Sequence, residues 1–234
     1  MSSTRLPGKV LLSIGPKTML EWVVTRVRRS TSIDQVIVAT TTESGDDAIV
    51  TECKRLGIAC HRGSELDVLD RYYDAATAQE ADVVVRITSD CPFIDPHEID
   101  RIAREFRDAS PDYASNCMAP GYLRGLDAEI MTMNGLARAW HEAPPGYHRV
   151  HVTPYIYRNP HLFRLLAVSP MSDRDFSSLR WTVDTREDLN MARALAAELS
   201  GDTFGWQEAL AAVERRPSLA QINGHIRQKQ VEEG

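Results

Sequence analysis

Short apolar runs alternate with amphipathic stretches through about the first hundred residues, and this alternation limits the fold more than any other feature of the sequence. The apolar runs have the length of strands, whereas the stretches between them repeat apolar residues at helical spacing. Predicted helices cover 17–29, 46–56, 67–79 and 96–106, and predicted strands cover 35–40, 58–61 and 82–87. This order predicts an α/β fold with a mostly parallel sheet and right-handed crossovers.

The second half of the chain is less regular. Predicted strands cover 113–116, 126–132, 162–168 and 179–183, predicted helices cover 134–142, 150–158, 186–199 and 206–215, and a polar tail runs to residue 234. No internal repeat or linker divides the sequence, so we expect a single domain over 1–234. Ligands of parallel sheets bind beyond the carboxyl ends of the strands, so functional side chains are expected in the loops after Thr40, Ile87 and Val183.

Composition narrows the class of protein. The 234 residues carry a net charge of −6, which is unsuited to a nucleic-acid-binding surface. The four cysteines form no C-x-x-C pair, which favours a reducing compartment over a zinc or disulfide scaffold. No apolar run has the length of a signal peptide or a membrane span, so we predict a cytoplasmic protein.

The chain opens on a polar, cationic loop where a first strand would be expected. Arg5 and Lys9 flank Pro7-Gly8 among small residues whose backbone amides can face an anion. The loop is not a Walker A motif, because it lacks the earlier glycine and Val10 follows Lys9. A solvated basic tail is the alternative interpretation, and charge alone does not exclude it.

Two aspartates follow predicted strands. Asp90 is not needed to cap the next helix, because Asp95-Pro96 already begins that helix. The Asp90 carboxylate lies at a strand end, where it suits a hard cation. Asp184 follows the predicted strand 179–183, but Asp184-x-x-Glu187 also resembles a capping box. A competing capping register, Thr185-x-x-Asp188, leaves Asp184 free for another role.

Other polar residues have functional and structural interpretations that the sequence does not separate. Thr40 and Thr41 lie at a strand end, where they either face a ligand or only terminate the strand. Asp67 either faces a ligand or only caps the helix it precedes. Arg86 at its strand end needs an anionic partner if it is buried.

The second half of the chain offers further candidates. Asp127 and Glu129 lie on one face of a predicted strand, either facing a substrate or solvated. His148 and His151 share a helical spacing, but with no third ligand evident a metal site there is disfavoured.

Five blocks of the sequence, in order, resemble the cytidylyltransferase superfamily and its spore coat polysaccharide biosynthesis protein F group, which is related to the CMP-Kdo and CMP-sialic acid synthetases. The blocks read STRLPGK at 3–9, GSELDVLDRY at 63–72, RITSDCP at 86–92, HVTPYIY at 151–157 and TVDTREDL at 182–189. The resemblance implies a nucleotide-diphospho-sugar transferase (GT-A-like), Rossmann-type three-layer α/β/α sandwich. It also implies that a sugar oxygen attacks the α-phosphate of CTP and expels pyrophosphate.

The resemblance assigns roles to residues by position. Arg5, Lys9 and Asp90 become catalytic, and Asp90 and Asp184 become ligands of Mg²⁺. The nucleotide-binding set is Ser3, Arg5, Lys9, Thr40, Thr41, Arg62, Ser64, Asp67 and Arg86, and the substrate-binding set is Asp127, Glu129, His151 and Tyr155. The implied division is a nucleotide-binding part over 1–110, a part for sugar, metal and dimer contacts over 111–200, and a helical tail over 201–234. A homodimer is also implied.

The sequence departs from the family at its start, where only Met1 precedes the loop, so we expect the N-terminal strand to be missing. Two alternative functions remain open. A glycosyltransferase of this fold normally carries Asp-x-Asp where this chain has the single Asp90 in SDCP, which favours nucleotidyl transfer. The other alternative is an inactive relative that binds nucleotide without turnover.

Overall fold

A computed structural model of the protein describes residues 3–170 and 172–229, so Met1, Ser2 and the end of the predicted polar tail lie outside the described residues. The strands are β1 (Ser13–Ile14), β2 (Lys17–Thr18), β3 (Ile37–Thr41), β4 (Ala59–Gly63), β5 (Val83–Arg86), β6 (Tyr113–Ser115), β7 (Glu129–Thr132) and β8 (Leu165–Ala167). The helices are α1 (Met19–Val27), α2 (Asp47–Arg55), α3 (Val68–Ala78), α4 (Pro96–Ala109), α5 (Met133–Glu142), α6 (Tyr147–Val150), α7 (Pro154–Tyr157), α8 (Arg186–Glu198), α9 (Trp206–Arg215) and α10 (Ser218–Gln221).

The larger strands form two sheets. β3 and β4 pair in parallel, and a four-stranded sheet has the order β5-β7-β6-β8. β7 runs antiparallel to β5 and β6, while β8 runs parallel to β6, so three of these four strands point the same way. Among the described residues no hydrogen-bonded ladder joins β3 to β5, and the opening segment forms a loop and a short 3₁₀ turn, Lys9–Leu11.

Helices cover both faces of the four-stranded sheet, because successive residues of a strand point to opposite faces. On one face, Tyr113 and Met131 pack against α3 and α5. On the other face, Ala114 and Ile130 pack against α4. The apolar sides of α1 and α2 pack on β3 and β4. The predicted α/β class and its three-layer arrangement are confirmed.

Two predicted elements are wrong. Residues 179–183 form no strand beyond a single bridge between Arg180 and Arg124. The segment is nevertheless extended, because the Trp181 N–H donates to the Arg124 carbonyl at 2.8 Å and the Val183 N–H donates to the Asp90 carbonyl at 2.8 Å. The predicted helix 150–158 is instead the two short helices α6 and α7, because Val152 between them has a φ of 73°, which no right-handed helix accommodates.

One carboxylate on α4 anchors the loop between α1 and β3. Asp100 accepts hydrogen bonds from the Ser30 hydroxyl at 2.6 Å, the Thr31 hydroxyl at 2.9 Å and the backbone N–H groups of Thr31 and Ser32 at 3.2 and 2.9 Å. Burial alone raises the pKa of Asp100, but these hydrogen bonds outweigh it and lower the pKa to about 2. A carboxylate with a lowered pKa stabilises the fold above its unfolded-state pKa of about 4 and loses that contribution as the pH falls.

We therefore expect Asp100→Asn to lower the free energy of unfolding by about 1 kcal/mol at pH 7, after allowance for solvent screening at this half-buried site. The difference from the wild type should narrow as the pH is lowered from about 5 to about 3. Urea unfolding followed by circular dichroism measures both values. Asp108→Asn, an exposed aspartate on the same helix, is the matched control and should show neither effect. A pH-independent loss in Asp100→Asn would contradict the explanation.

Candidate active site

The opening loop folds back so that one ammonium group lies between two carboxylates. The Lys9 Nζ lies 3.1 Å from Asp90 Oδ2 and 2.9 Å from Asp184 Oδ1. It also donates to the Val183 carbonyl at 3.0 Å. Arg5 approaches the same Asp184 oxygen, with Nη2 at 3.2 Å. Four residues predicted from the sequence to act together therefore lie in one cluster.

Backbone contacts bring the two aspartates together. Asp90 lies in the loop after β5, and its carbonyl accepts hydrogen bonds from the Val183 N–H at 2.8 Å and the Thr182 hydroxyl at 3.2 Å. Asp184 directly precedes the N-cap of α8, which is Thr185 in a capping box with Asp188. The alternative in which Asp184 caps this helix is therefore wrong, and its carboxylate is available for other contacts.

A buried network that the sequence did not indicate fixes Asp184 through its second carboxylate oxygen and its backbone N–H. The Arg180 Nη2 donates to Asp184 Oδ2 at 2.6 Å, and its Nε donates to Asp188 Oδ1 at 2.9 Å. Asp188 also accepts the Asp184 N–H at 3.0 Å, and the Asn223 amide, just after α10, donates to Asp188 at 2.8 Å. Of the residues in this network, the sequence indicated only Asp188, as the partner of Thr185 in a capping box.

These contacts keep both partners ionised. Burial alone raises the pKa of Asp184, but three neighbouring cations, Lys9 foremost, hold it below its usual range. Burial alone lowers the pKa of Lys9, but Asp90 and Asp184 raise it above its usual range. The ion pair is therefore charged at neutral pH.

Asp127, predicted to bind substrate, lies beside this cluster. The Cys91 Sγ is 3.7 Å from Asp90 Oδ1 and 3.8 Å from Asp127 Oδ2, so the thiol separates the two carboxylates. The Gly125 N–H donates to Asp127 at 2.8 Å, and the Cys117 Sγ lies 3.1 Å from its other oxygen. Loss of hydration raises the pKa of Asp127 above its usual value. Neither cysteine was singled out by the sequence.

Arg86 and Glu129 form an ion pair with each other. The Tyr113 and Thr153 hydroxyls also donate to Glu129, at 2.5 and 2.6 Å. The Arg86 guanidinium lies over the Tyr72 ring, 5.9 Å from its centroid. The anionic partner expected for a buried arginine is thus Glu129, and the predicted contacts of this pair with nucleotide and substrate stay predictions.

In this structure, residues at the end of β3 that were predicted to contact nucleotide bind the carboxylate of Asp46. The Thr40 and Thr41 hydroxyls both donate to Asp46 Oδ2 at 2.7 Å. Arg62 donates to the Thr41 carbonyl at 2.8 Å and to Asp47 at 2.7 Å. These side chains hold the loop between β3 and α2 in this structure.

Asp67 is the N-cap of α3, accepting the Asp70 N–H at 2.9 Å, as one of its two interpretations predicted. It also accepts a hydrogen bond from Arg149 at 2.6 Å. Ser64 accepts the Asp67 N–H at 3.0 Å and so supports the same turn.

Three further predicted residues lie in the opening loop and around α6 and α7. The Ser3 hydroxyl accepts the Leu6 N–H at 3.3 Å within the opening loop. His151 is half-buried just after α6. Tyr155 on α7 donates to Glu142 at 2.9 Å. The contacts named for Ser3 and Tyr155 do not involve Asp90 or Asp184.

The donor set suits a hard divalent cation that enters with phosphate. In the part of the chain that the structure describes, no three metal-binding side chains form a group that could hold a metal ion. Asp90 and Asp184 nevertheless direct carboxylate oxygens at one point, since both contact the same ammonium. Mg²⁺ commonly takes one or two protein carboxylates and completes its octahedron with phosphate oxygens and water. The two aspartates fit that pattern.

Comparisons of the sequence and of the structure with known proteins point to one family. The sequence model of the cytidylyltransferase family matches residues 1–215. The chain is 34% identical over 200 residues to the spore coat polysaccharide biosynthesis protein SpsF of Bacillus subtilis, with 83% of this chain and 82% of that protein covered. A solved cytidylyltransferase of Leptospira borgpetersenii aligns at a TM-score of 0.89 and 31% identity, over 98% of this chain and 95% of the other.

A more distant structure shares the fold. A CMP:2-keto-3-deoxy-manno-octonic acid synthetase solved in complex with CTP aligns at a TM-score of 0.60 and 19% identity, over 83% of this chain and 94% of the other.

Across the described residues, no helix combines the length and the apolar character needed to cross a membrane.

Cations and carboxylates gathered beyond the strand ends of an α/β sheet are typical of enzymes that bind nucleotide phosphates. The family match and the two relatives above 30% identity make this class specific. The chain belongs to the cytidylyltransferase family and is a nucleotidyltransferase, so the resemblance seen in the sequence is confirmed.

Proposed function

We propose that the protein is a Mg²⁺-dependent cytidylyltransferase that transfers CMP from CTP to a sugar or sugar acid, with release of pyrophosphate, for a surface polysaccharide of the spore-coat type. The observation that carries the proposal is the convergence of Lys9, Arg5, Asp90 and Asp184. The family match supports cytidylyl transfer, and the relatedness to SpsF supports a polysaccharide sugar as the acceptor.

Asp90 and Asp184 would hold the metal ion, which when bound supplies Lewis-acid polarisation of the phosphate and a template for its approach. Arg5 and Lys9 would then contact the β- and γ-phosphates. The acceptor hydroxyl oxygen forms its bond to the α-phosphorus and loses its proton to water, while the bond to the bridging oxygen breaks and its electron pair leaves on pyrophosphate. Fixed cations beside the leaving group stabilise this charge most strongly in the transition state.

The remaining predicted residues complete the proposal. Ser3, Thr40, Thr41, Arg62, Ser64, Asp67 and Arg86 would line the nucleotide site, and Asp127, Glu129, His151 and Tyr155 would face the acceptor. For the first group this requires that loops now held by internal hydrogen bonds open or share their donors when nucleotide binds. We also propose a cytoplasmic homodimer of single-domain chains, in which 1–110 bind nucleotide, 111–200 bind sugar and metal, and 201–234 form a helical tail.

The test is a pyrophosphate-release screen of CTP, UTP, ATP and GTP against neutral sugars and sugar acids, with Mg²⁺ or with a chelator. We expect release with CTP and at least one sugar or sugar acid, and its loss when the metal is chelated. Transfer from a nucleotide sugar without pyrophosphate would identify a glycosyltransferase instead. Binding of CTP without release under every condition would identify an inactive relative.

A further inference from the structure

The position of the Lys9 ammonium bears on how a metal ion reaches the site, an inference that rests on the proposed function. All three hydrogens of the ammonium have acceptors within 3.1 Å: Asp90 Oδ2, Asp184 Oδ1 and the Val183 carbonyl. The ammonium therefore lies between the two carboxylates that would hold a divalent cation. Lysine and metal ion therefore compete for the same pair of carboxylates.

The second carboxylate oxygen of Asp184 already accepts a hydrogen bond from a buried arginine. Its Oδ2 accepts the Arg180 guanidinium at 2.6 Å, and the Arg180 side chain is only 6% exposed. Arg180 is itself fixed by Asp188, which is completely buried. A metal ion bound to Asp184 through Oδ2 would lie against the buried Arg180 guanidinium, so Oδ1 is the favoured oxygen, and there the ion competes with Lys9.

The charges of the cluster already balance. Three cations face three carboxylates: Arg5, Lys9 and Arg180 against Asp90, Asp184 and Asp188. A divalent ion entering alone would add two positive charges to a half-buried site and displace an ammonium from two charge-assisted hydrogen bonds. A nucleoside triphosphate brings the negative charge that such an ion needs.

The Lys9 ammonium can leave the carboxylates without moving a packed helix. Its ammonium ends a flexible four-carbon side chain, and the residue begins a single 3₁₀ turn rather than a packed helix. Phosphate oxygens are acceptors of the same kind as the carboxylates they would replace. Transfer of the ammonium to phosphate would therefore free Asp90 Oδ2 and Asp184 Oδ1 together.

We propose that Lys9 is an internal counter-ion that keeps free divalent cations off Asp90 and Asp184 until a nucleoside triphosphate draws its ammonium onto the phosphates. Metal and nucleotide then bind cooperatively, because each favours the same position of Lys9 and the coupling is reciprocal. Lys9 acts here as a positioning residue for the metal, in addition to its proposed contact with the leaving group.

The test measures metal binding to the nucleotide-free protein, with Mn²⁺ as the probe and electron paramagnetic resonance of free Mn²⁺ as the readout. We expect Lys9→Met to bind Mn²⁺ at least tenfold more tightly than the wild type. The gain should disappear in the double variant Lys9→Met/Asp90→Asn. Lys17→Met is the matched control, because Lys17 is a partly buried lysine paired with Asp202 outside the cluster, and its affinity for Mn²⁺ should equal that of the wild type.

A parallel titration with CTP present, and no acceptor, separates the two proposals. The wild type should gain Mn²⁺ affinity with CTP, and this gain should depend on Asp90. If CTP recruits Mn²⁺ in that way but Lys9→Met binds the ion no more tightly without nucleotide, the counter-ion role is overturned and the proposed function stands. If no variant binds Mn²⁺ through Asp90 with or without CTP, the metal site itself is wrong.

Discussion

Asp90→Asn is expected to reduce the rate of pyrophosphate release from CTP by about 10³-fold, the scale at which preorganised transition-state stabilisation is lost. Asparagine has the same shape but no charge, so it would weaken the proposed metal site and the contact with the Lys9 ammonium, now 3.1 Å from Asp90 Oδ2. A coupled assay of pyrophosphate at saturating CTP and Mg²⁺ measures the loss.

The fold should survive this substitution. The contacts of Asp90 that support the neighbouring segment are made by its backbone carbonyl, which accepts the Val183 N–H and the Thr182 hydroxyl. The thermal midpoint of Asp90→Asn should therefore stay close to that of the wild type. Asp34→Asn, an exposed aspartate before β3, is the control for a change of charge alone and should keep full activity. Unchanged turnover in Asp90→Asn would remove Asp90 from the metal site.

The sequence was sufficient to predict the α/β class of the fold and the proximity of Asp90 and Asp184. Periodicity predicted α1 to α4 to within a few residues, because each buries an apolar face that repeats with the helical period. Topology then indicated that Asp90 and Asp184 lie at one edge, since the loops at the carboxyl ends of parallel strands meet. Both now contact the Lys9 ammonium, although their roles in catalysis stay predictions.

Sequence reasoning missed contacts that no regular element or spacing indicates. Arg180 contacts Asp184 and Asp188, four and eight residues along the chain, and Asn223, 43 residues from Arg180, donates to its carbonyl and to Asp188. Sequence patterns do not predict the Asn223 contact, because a hydrogen bond between residues 43 apart produces no regular spacing of residue types along the chain. The segment 179–183 has a strand-like sequence but lacks a full ladder partner, so propensity indicated an element that pairing did not complete.

Gly125→Ala is expected to cause the largest loss of stability of any substitution considered, about 3–5 kcal/mol in the free energy of unfolding. Gly125 has a φ of +107°, and a Cβ there would lie 2.6 Å from the carbonyl carbon of Trp181 and 2.8 Å from the nitrogen of Thr182. Both are backbone atoms, and the Trp181 N–H is held by the Arg124 carbonyl at 2.8 Å. The clash cannot be relieved by a side-chain rotation.

Gly57→Ala is the matched control, because Gly57 also has a positive φ, +60°, but a Cβ there meets nothing within 4 Å. It isolates the cost of a left-handed backbone, about 1–2 kcal/mol, so the excess loss in Gly125→Ala measures the clash together with the added strain of a φ outside the left-handed helical region. Urea unfolding of both variants gives the two values. Because the displaced backbone leads directly to Asp184, Gly125→Ala should also weaken Asp90-dependent Mn²⁺ binding with CTP under conditions where the variant is folded, whereas Gly57→Ala should not. Equal losses of stability in the two variants would show that the 181–182 backbone yields freely, and the site would then lack the rigid support on which Asp184 depends.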